Sequence, residues 1–142
     1  MTPSDGKRNI AAGFLLMAGF MIYGFVLIYL RDFAPGKEEW IAQYTTGKHF
    51  ESRLAHVHGN LFAFLNIVVG YLLLRLPFRG NVTRAISWLA LIGMMMPIGI
   101  VLELVLGAPP VFVLLGGISM VLAVTWMGIA SWGLDMSAQS RR

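Results

Sequence analysis

Residues 54–70 read LAHVHGNLFAFLNIVVG, an apolar run that carries two histidines and two asparagines. The run begins an apolar block long enough to cross a bilayer, so the four polar side chains would lie at membrane depth. Polar groups in hydrocarbon are costly and usually face the interior of a helical bundle, where they pair or bind a ligand. The stretch therefore predicts a membrane-spanning helix and also marks where function should be sought.

Apolar blocks of spanning length organise the whole chain, which has 142 residues, is 57% hydrophobic and only 13% charged. They lie at residues 10–30, 54–76, 85–106 and 111–134. Each block exceeds the ~20 residues that a helix needs to cross the hydrocarbon. The sequence lacks the alternation of polar and apolar residues that is typical of the strands of a membrane β-barrel. We therefore expect an all-α fold, a single membrane domain over residues 1–142 with four transmembrane helices and an outer loop at residues 31–53.

The basic residues are divided unevenly between the two sides of a four-pass chain. One side holds four of the 11 basic residues, and the other holds the remaining seven: Lys7, Arg8, Arg75, Arg79, Arg84, Arg141 and Arg142. This bias predicts that both termini are cytoplasmic. We read the formal net charge of +4 as an orientation signal, and expect the bilayer of a bacterial cytoplasmic membrane as partner and no nucleic acid.

Two other segments predict local structure. Pro97 follows three methionines inside the third block and should kink that helix, because proline has no backbone N–H to donate. In the outer loop, residues 37–44 (KEEWIAQY) form a short amphipathic stretch in which Trp40 and Tyr44 suit the membrane interface. The absence of cysteine excludes disulfides, thiolate metal ligands and iron–sulfur clusters.

The two histidines of the polar stretch point in different directions. At about 100° per residue, they lie about 160° apart on the helix. His56 shares a face of mostly small residues with Asn60, whereas His58 heads an apolar face that includes Phe62 and Leu65. Since neighbours on a helix are three or four residues apart, the two imidazoles are not placed to ligate one metal ion together.

Two interpretations of this cluster remain open. Glu103, near the outer end of the third helix, should share a depth with the histidines. In the first interpretation the cluster is a functional site in which His58 binds a haem, because imidazole is the usual proximal ligand and bulky apolar neighbours suit a macrocycle. In the second, His58 hydrogen-bonds a neighbouring carbonyl, His56 pairs with Glu103, and the cluster is structural.

Several motifs in this region resemble known haem proteins. The pattern R-x-x-x-x-H-x-N-L, from Arg53 to Leu61, resembles the second helix of nitric oxide reductases and related haem-copper oxidase main subunits. The run HVHGNL is similar to a stretch in small four-helix relatives of that superfamily. An Ala-x-His sequence after a Trp-bearing outer loop also resembles styrene oxide isomerase, a four-helix membrane enzyme. All three resemblances imply His58 as axial ligand of haem b, with Asn60, Phe62 and Leu65 beside the cofactor.

The isomerase resemblance further implies a homo-oligomer, a trimer with haem at subunit interfaces, and a small hydrophobic substrate. Its activity would be conversion of an epoxide to a carbonyl, with ferric iron as Lewis acid. The chain departs from that family at Phe64, where an asparagine is expected, and at Val101, where a tyrosine is expected. We therefore expect Asn66 to orient the substrate and Glu103 or His56 to supply the missing polar group. The alternatives are a non-catalytic haem protein for electron transfer or gas binding, and a haem-free structural subunit.

Overall fold

A computed structural model describes residues 4–134. This part of the chain forms helices and no strands, with bounds α1 Ser4–Asp32, α2 Lys37–Ala42, α3 Lys48–Arg75, α4 Gly80–Gly93, α5 Met95–Leu106 and α6 Val111–Trp132. Four segments are long and apolar enough to cross a membrane: α1, α3, α4 together with α5, and α6. The predicted all-α fold with four membrane-spanning helices is confirmed.

Two of the spanning helices extend beyond the apolar blocks. α1 begins at Ser4 and α3 at Lys48, whereas the apolar blocks begin at residues 10 and 54. Backbone hydrogen bonds do not require apolar side chains, so a helix can continue into the interface with polar residues on its surface. The longer α3 includes His49, which lies within the range predicted as outer loop, residues 31–53.

α1 and α3 pack antiparallel and very closely, because glycines lie at the contact. A Cβ atom built on Gly13 would lie 2.7 Å from the Ala63 carbonyl oxygen, and one built on Gly70 would lie 2.5 Å from the Gly6 carbonyl oxygen. Side chains at these positions would force the helices apart, and small residues are how membrane helices reach such short separations. The contact fixes which face of α3 is turned toward α1.

The third span is interrupted at Met94, between α4 and α5. The Met94 N–H donates to the Leu91 carbonyl at 3.1 Å, whereas a continuous helix would direct it to the Ala90 carbonyl. Pro97 follows within one turn, and this is where the proline predicts a kink. The Nδ2 atom of Asn66, on α3, donates to the Ala90 carbonyl at 2.9 Å, so a neighbouring helix supplies a hydrogen bond that the interruption removes.

A buried polar network joins α1, α3 and α4 in the half of the bundle away from α2. Asn9 Nδ2 donates to Asn66 Oδ1 at 2.9 Å and to the Ser87 carbonyl at 3.0 Å, and Ser87 Oγ donates to Asn9 Oδ1 at 2.5 Å. All three side chains are fully buried. Because unpaired polar groups are expensive in hydrocarbon, this network favours one relative arrangement of the three helices. The sequence analysis did not identify Asn9 or Ser87.

Candidate functional site

Four polar side chains recur along the face of α3 that is turned toward α1 and α2: His49, Arg53, His56 and Asn60. The spacing i, i+4, i+7, i+11 places them in one stripe on a helix. Together they line one wall of a cavity of about 650 Å³ between α1 and α3, at the end of the bundle where α2 lies. We call it the α1–α3 cavity, and Arg31 and Tyr44 also line it.

His49 links α2 to α3 through a hydrogen bond and a stacking contact, both with Trp40. Its side chain is buried, its Nδ1 atom bonds the Trp40 carbonyl at 2.9 Å, and its ring stacks on the Trp40 indole with 4.8 Å between centroids. Tyr44 meets the same imidazole edge-on at 5.4 Å. The sequence analysis missed His49 because it began the helix near Arg53. Counting back seven residues, or two helical turns, from His56 along the same face of the helix leads to His49.

His56 lies against the backbone of α1. Its Nδ1 atom is 2.8 Å from the Phe20 carbonyl, and since a carbonyl only accepts, Nδ1 carries the proton and Nε2 does not when the ring is neutral. A Cβ atom built on Gly24 would lie 2.6 Å from Cε1 of His56 and 3.3 Å from Nε2. The α1 backbone thus lies against one edge of the ring, and the rest of the ring faces the α1–α3 cavity.

Glu103 lies in the last turn of α5, at the same end of the bundle as the histidines, but it does not join them. Its side chain is exposed, and it makes no hydrogen bond or ion pair with any residue between 4 and 134. The polar partner of His56 is instead the Phe20 carbonyl of α1. The pairing of His56 with Glu103, one part of the structural interpretation, is therefore not formed, whereas its other part, a hydrogen bond between His58 and a neighbouring carbonyl, is formed with Leu54.

His58 lies on another flank of α3. Its Nδ1 atom is 2.9 Å from the Leu54 carbonyl, one turn earlier, and its ring meets Phe62 edge-on at 6.1 Å. The carbonyl again requires the proton on Nδ1, so the Nε2 lone pair is available. Within residues 4–134, Nε2 of His58 has no hydrogen-bond partner. The side chain is only half-buried, which leaves this nitrogen accessible from outside the bundle.

The other residues expected around His58 are only partly brought to it. Phe62 and Leu65 lie on its flank, with Phe62 buried and Leu65 packed against the same cluster. Asn60 lies on the stripe with His56, whose backbone carbonyl accepts from Asn60 Nδ2 at 2.9 Å. Asn66 is two turns further along, fully buried, and hydrogen-bonded to α1, α3 and α4. The described residues contain no group of three or more His, Asp or Glu suited to hold a metal ion.

A second, apolar groove of about 290 Å³ lies between α1 and α5. Tyr23 and Val101 face it from opposite helices, and the Tyr23 phenol is the only hydroxyl group among its lining residues within the described chain. Both residues pack against the cluster that contains Phe62. A tyrosine therefore faces the position at which the isomerase resemblance expects one, but it comes from α1.

Comparisons of the chain with protein-family models, with curated proteins and with solved structures found no match. The candidate site contains two imidazoles of α3, and their surroundings differ. His56 lies against α1 and lines the α1–α3 cavity, and His58 presents a nitrogen without a hydrogen-bond partner in the described chain beside an aromatic ring.

Proposed function

We propose that the protein binds haem b, with Nε2 of His58 as an axial ligand of the iron. The supporting observation is the 2.9 Å hydrogen bond from His58 Nδ1 to the Leu54 carbonyl. Histidines that ligate metals almost always donate their other ring N–H to a carbonyl or carboxylate, which fixes the tautomer and the ring orientation. His56 has the same tautomer, but its ring lies against the α1 backbone at Gly24.

The position of His58 in the membrane also supports a ligand. An imidazole nitrogen without a hydrogen-bond partner, half-buried at membrane depth, is unfavourable against lipid. Its neighbours on the flank are Phe62 and Leu65, together with the exposed Leu61, and these suit the apolar face of a porphyrin. A second copy of the chain would close the flank from the other side, so we propose a homo-oligomer, with a trimer implied only by the resemblance.

The groove at Tyr23 favours an epoxide isomerase as a second candidate function. When bound, ferric haem would supply a Lewis acid for the epoxide oxygen of a small hydrophobic substrate. The Tyr23 phenol would donate a hydrogen bond to a substrate held in the apolar groove, opposite Val101. This proposal assigns to Tyr23 the polar role first expected of Glu103 or His56. The alternative is a non-catalytic haem protein for electron transfer or gas binding, in which a second ligand would occupy the sixth coordination position of the iron.

Titration of the purified protein with haemin tests these proposals. We expect a Soret band that saturates, together with a five-coordinate spectrum and turnover of an aryl epoxide that is lost on reduction with dithionite, because ferrous iron is the weaker Lewis acid. A six-coordinate spectrum without turnover would favour the non-catalytic haem protein. Failure of the protein to bind haemin with a defined spectrum would contradict haem binding and leave a haem-free structural subunit.

The side of the membrane on which α2 lies follows from the charge bias. We propose a bacterial cytoplasmic membrane with both termini cytoplasmic and α2 outside. Of the seven basic residues on the predicted cytoplasmic side, Arg141 and Arg142 lie outside the described residues. Because the chain has no cysteine, single cysteines can be introduced: Lys37→Cys should react with an impermeant thiol reagent added outside intact cells, and Arg79→Cys should not. The reverse labelling pattern would overturn this orientation.

A further inference from the structure

We propose that the α1–α3 cavity binds the headgroup phosphate of an anionic phospholipid, with Arg53 as its principal ligand. The cavity lies where α1 ends at Asp32 and α3 begins at Lys48, a position that matches the headgroup layer if both helices span the bilayer. Trp40 and Tyr44, aromatic residues typical of that layer, lie at the same end. No part of this proposal depends on haem.

Arg53 is held in place without a carboxylate. Its guanidinium carbon lies 3.8 Å from the centroid of the Tyr44 ring, and Nη1 donates to the Tyr44 carbonyl at 3.2 Å. Within residues 4–134 no acidic side chain forms an ion pair with it. The guanidinium has five N–H donors, so most remain for a ligand, and a stacked guanidinium loses less freedom when it binds.

The charges around the cavity favour an anion. Its described lining contains two arginines, two histidines and no Asp or Glu. Arg31 is already engaged in two hydrogen bonds with Asp32, at 2.8 and 2.7 Å, which leaves Arg53 as the uncompensated cation. Phosphate oxygens match the planar fork of donors on arginine, and an anionic headgroup, unlike a zwitterionic one, brings no cation of its own next to the two arginines.

The apolar side of the cavity favours a lipid over a soluble anion. Met21, Phe25 and Ile28 line it from α1 at helical spacing, and all three side chains are exposed. They continue the cavity along the α1 surface toward the hydrocarbon, where an acyl chain would cover them. A free phosphate ion would gain nothing from this surface.

Native mass spectrometry of the full chain, released from detergent after incubation with an equimolar mixture of phosphatidylglycerol and phosphatidylcholine, tests the proposal. We expect wild type to retain phosphatidylglycerol preferentially, and Arg53→Gln to lower that retention by about tenfold, the effect of losing charge-assisted hydrogen bonds. Arg53→Lys should recover part of it, because the charge remains and the fork is lost.

Arg75→Gln is the matched control, since Arg75 lies over the Tyr71 ring at the other end of α3. It should leave retention unchanged, and circular dichroism should show equal helix content in all variants. Equal losses in Arg53→Gln and Arg75→Gln would show a general charge effect and overturn the site. Displacement of the lipid by inorganic phosphate would show a free-anion site and overturn the lipid assignment. The haem proposal would stand in either case, because His58 lies on another flank.

Discussion

His58→Ala is expected to abolish the Soret band of the haemin-treated protein while its helix content stays the same. The substitution removes the nitrogen proposed to bind iron, and within the described chain the hydrogen bond and the aromatic contact of the ring are both to its own helix, at the Leu54 carbonyl and at Phe62. No other helix loses a hydrogen bond. Absorption spectroscopy measures the loss, and circular dichroism shows that the bundle is intact.

His56→Ala is the matched control, two residues away on the same helix. It should keep most of the Soret band, because the proposed iron ligand is His58, whereas His56 is hydrogen-bonded to α1 and lies against Gly24. The substitution should instead lower the free energy of unfolding, since the imidazole of His56 joins α3 to the Phe20 carbonyl of α1. Exogenous imidazole should restore a band to His58→Ala by occupying the vacated position. If the two variants exchange outcomes, His56 is the ligand; if neither changes the band, haem binding through this cluster is wrong.

Asn66→Leu is expected to destabilise the bundle by about 2–3 kcal/mol, the cost of leaving buried polar groups without partners. The change removes the donor to the Ala90 carbonyl at the interruption of the third span and an acceptor for Asn9. That loss is a large part of the roughly 5–15 kcal/mol that stabilises a typical protein. Thermal unfolding in detergent, followed by circular dichroism, measures it.

Asn60→Leu makes the same substitution on the same helix with a smaller expected cost. The Asn60 amide donates to the His56 carbonyl of its own helix, so no neighbouring helix loses a partner, and we expect about 1 kcal/mol or less. Equal destabilisation by the two variants would contradict the special role of Asn66. A stable Asn66→Leu protein that binds haem but loses epoxide turnover would instead support the substrate-orienting role expected from the sequence.

The sequence alone determined the properties that depend on local chemistry. Transfer of apolar side chains into hydrocarbon is nearly additive along a segment, so composition and length were enough to predict four spanning helices. The interruption near Pro97 is also local, because proline cannot donate whatever surrounds it. The separation of His56 from His58 follows from the helical period alone.

Tertiary structure decided which groups each polar side chain contacts. Gly24 lies against His56 and Asn9 against Asn66, and in each pair the partners come from different helices. Hydropathy does not encode the rotation of one helix about its axis relative to another, which depends on small residues and hydrogen bonds at the contact. For that reason the sequence predicted a substrate-orienting role for Asn66 without showing which groups its amide contacts. In the packed bundle the amide donates to the Ala90 carbonyl.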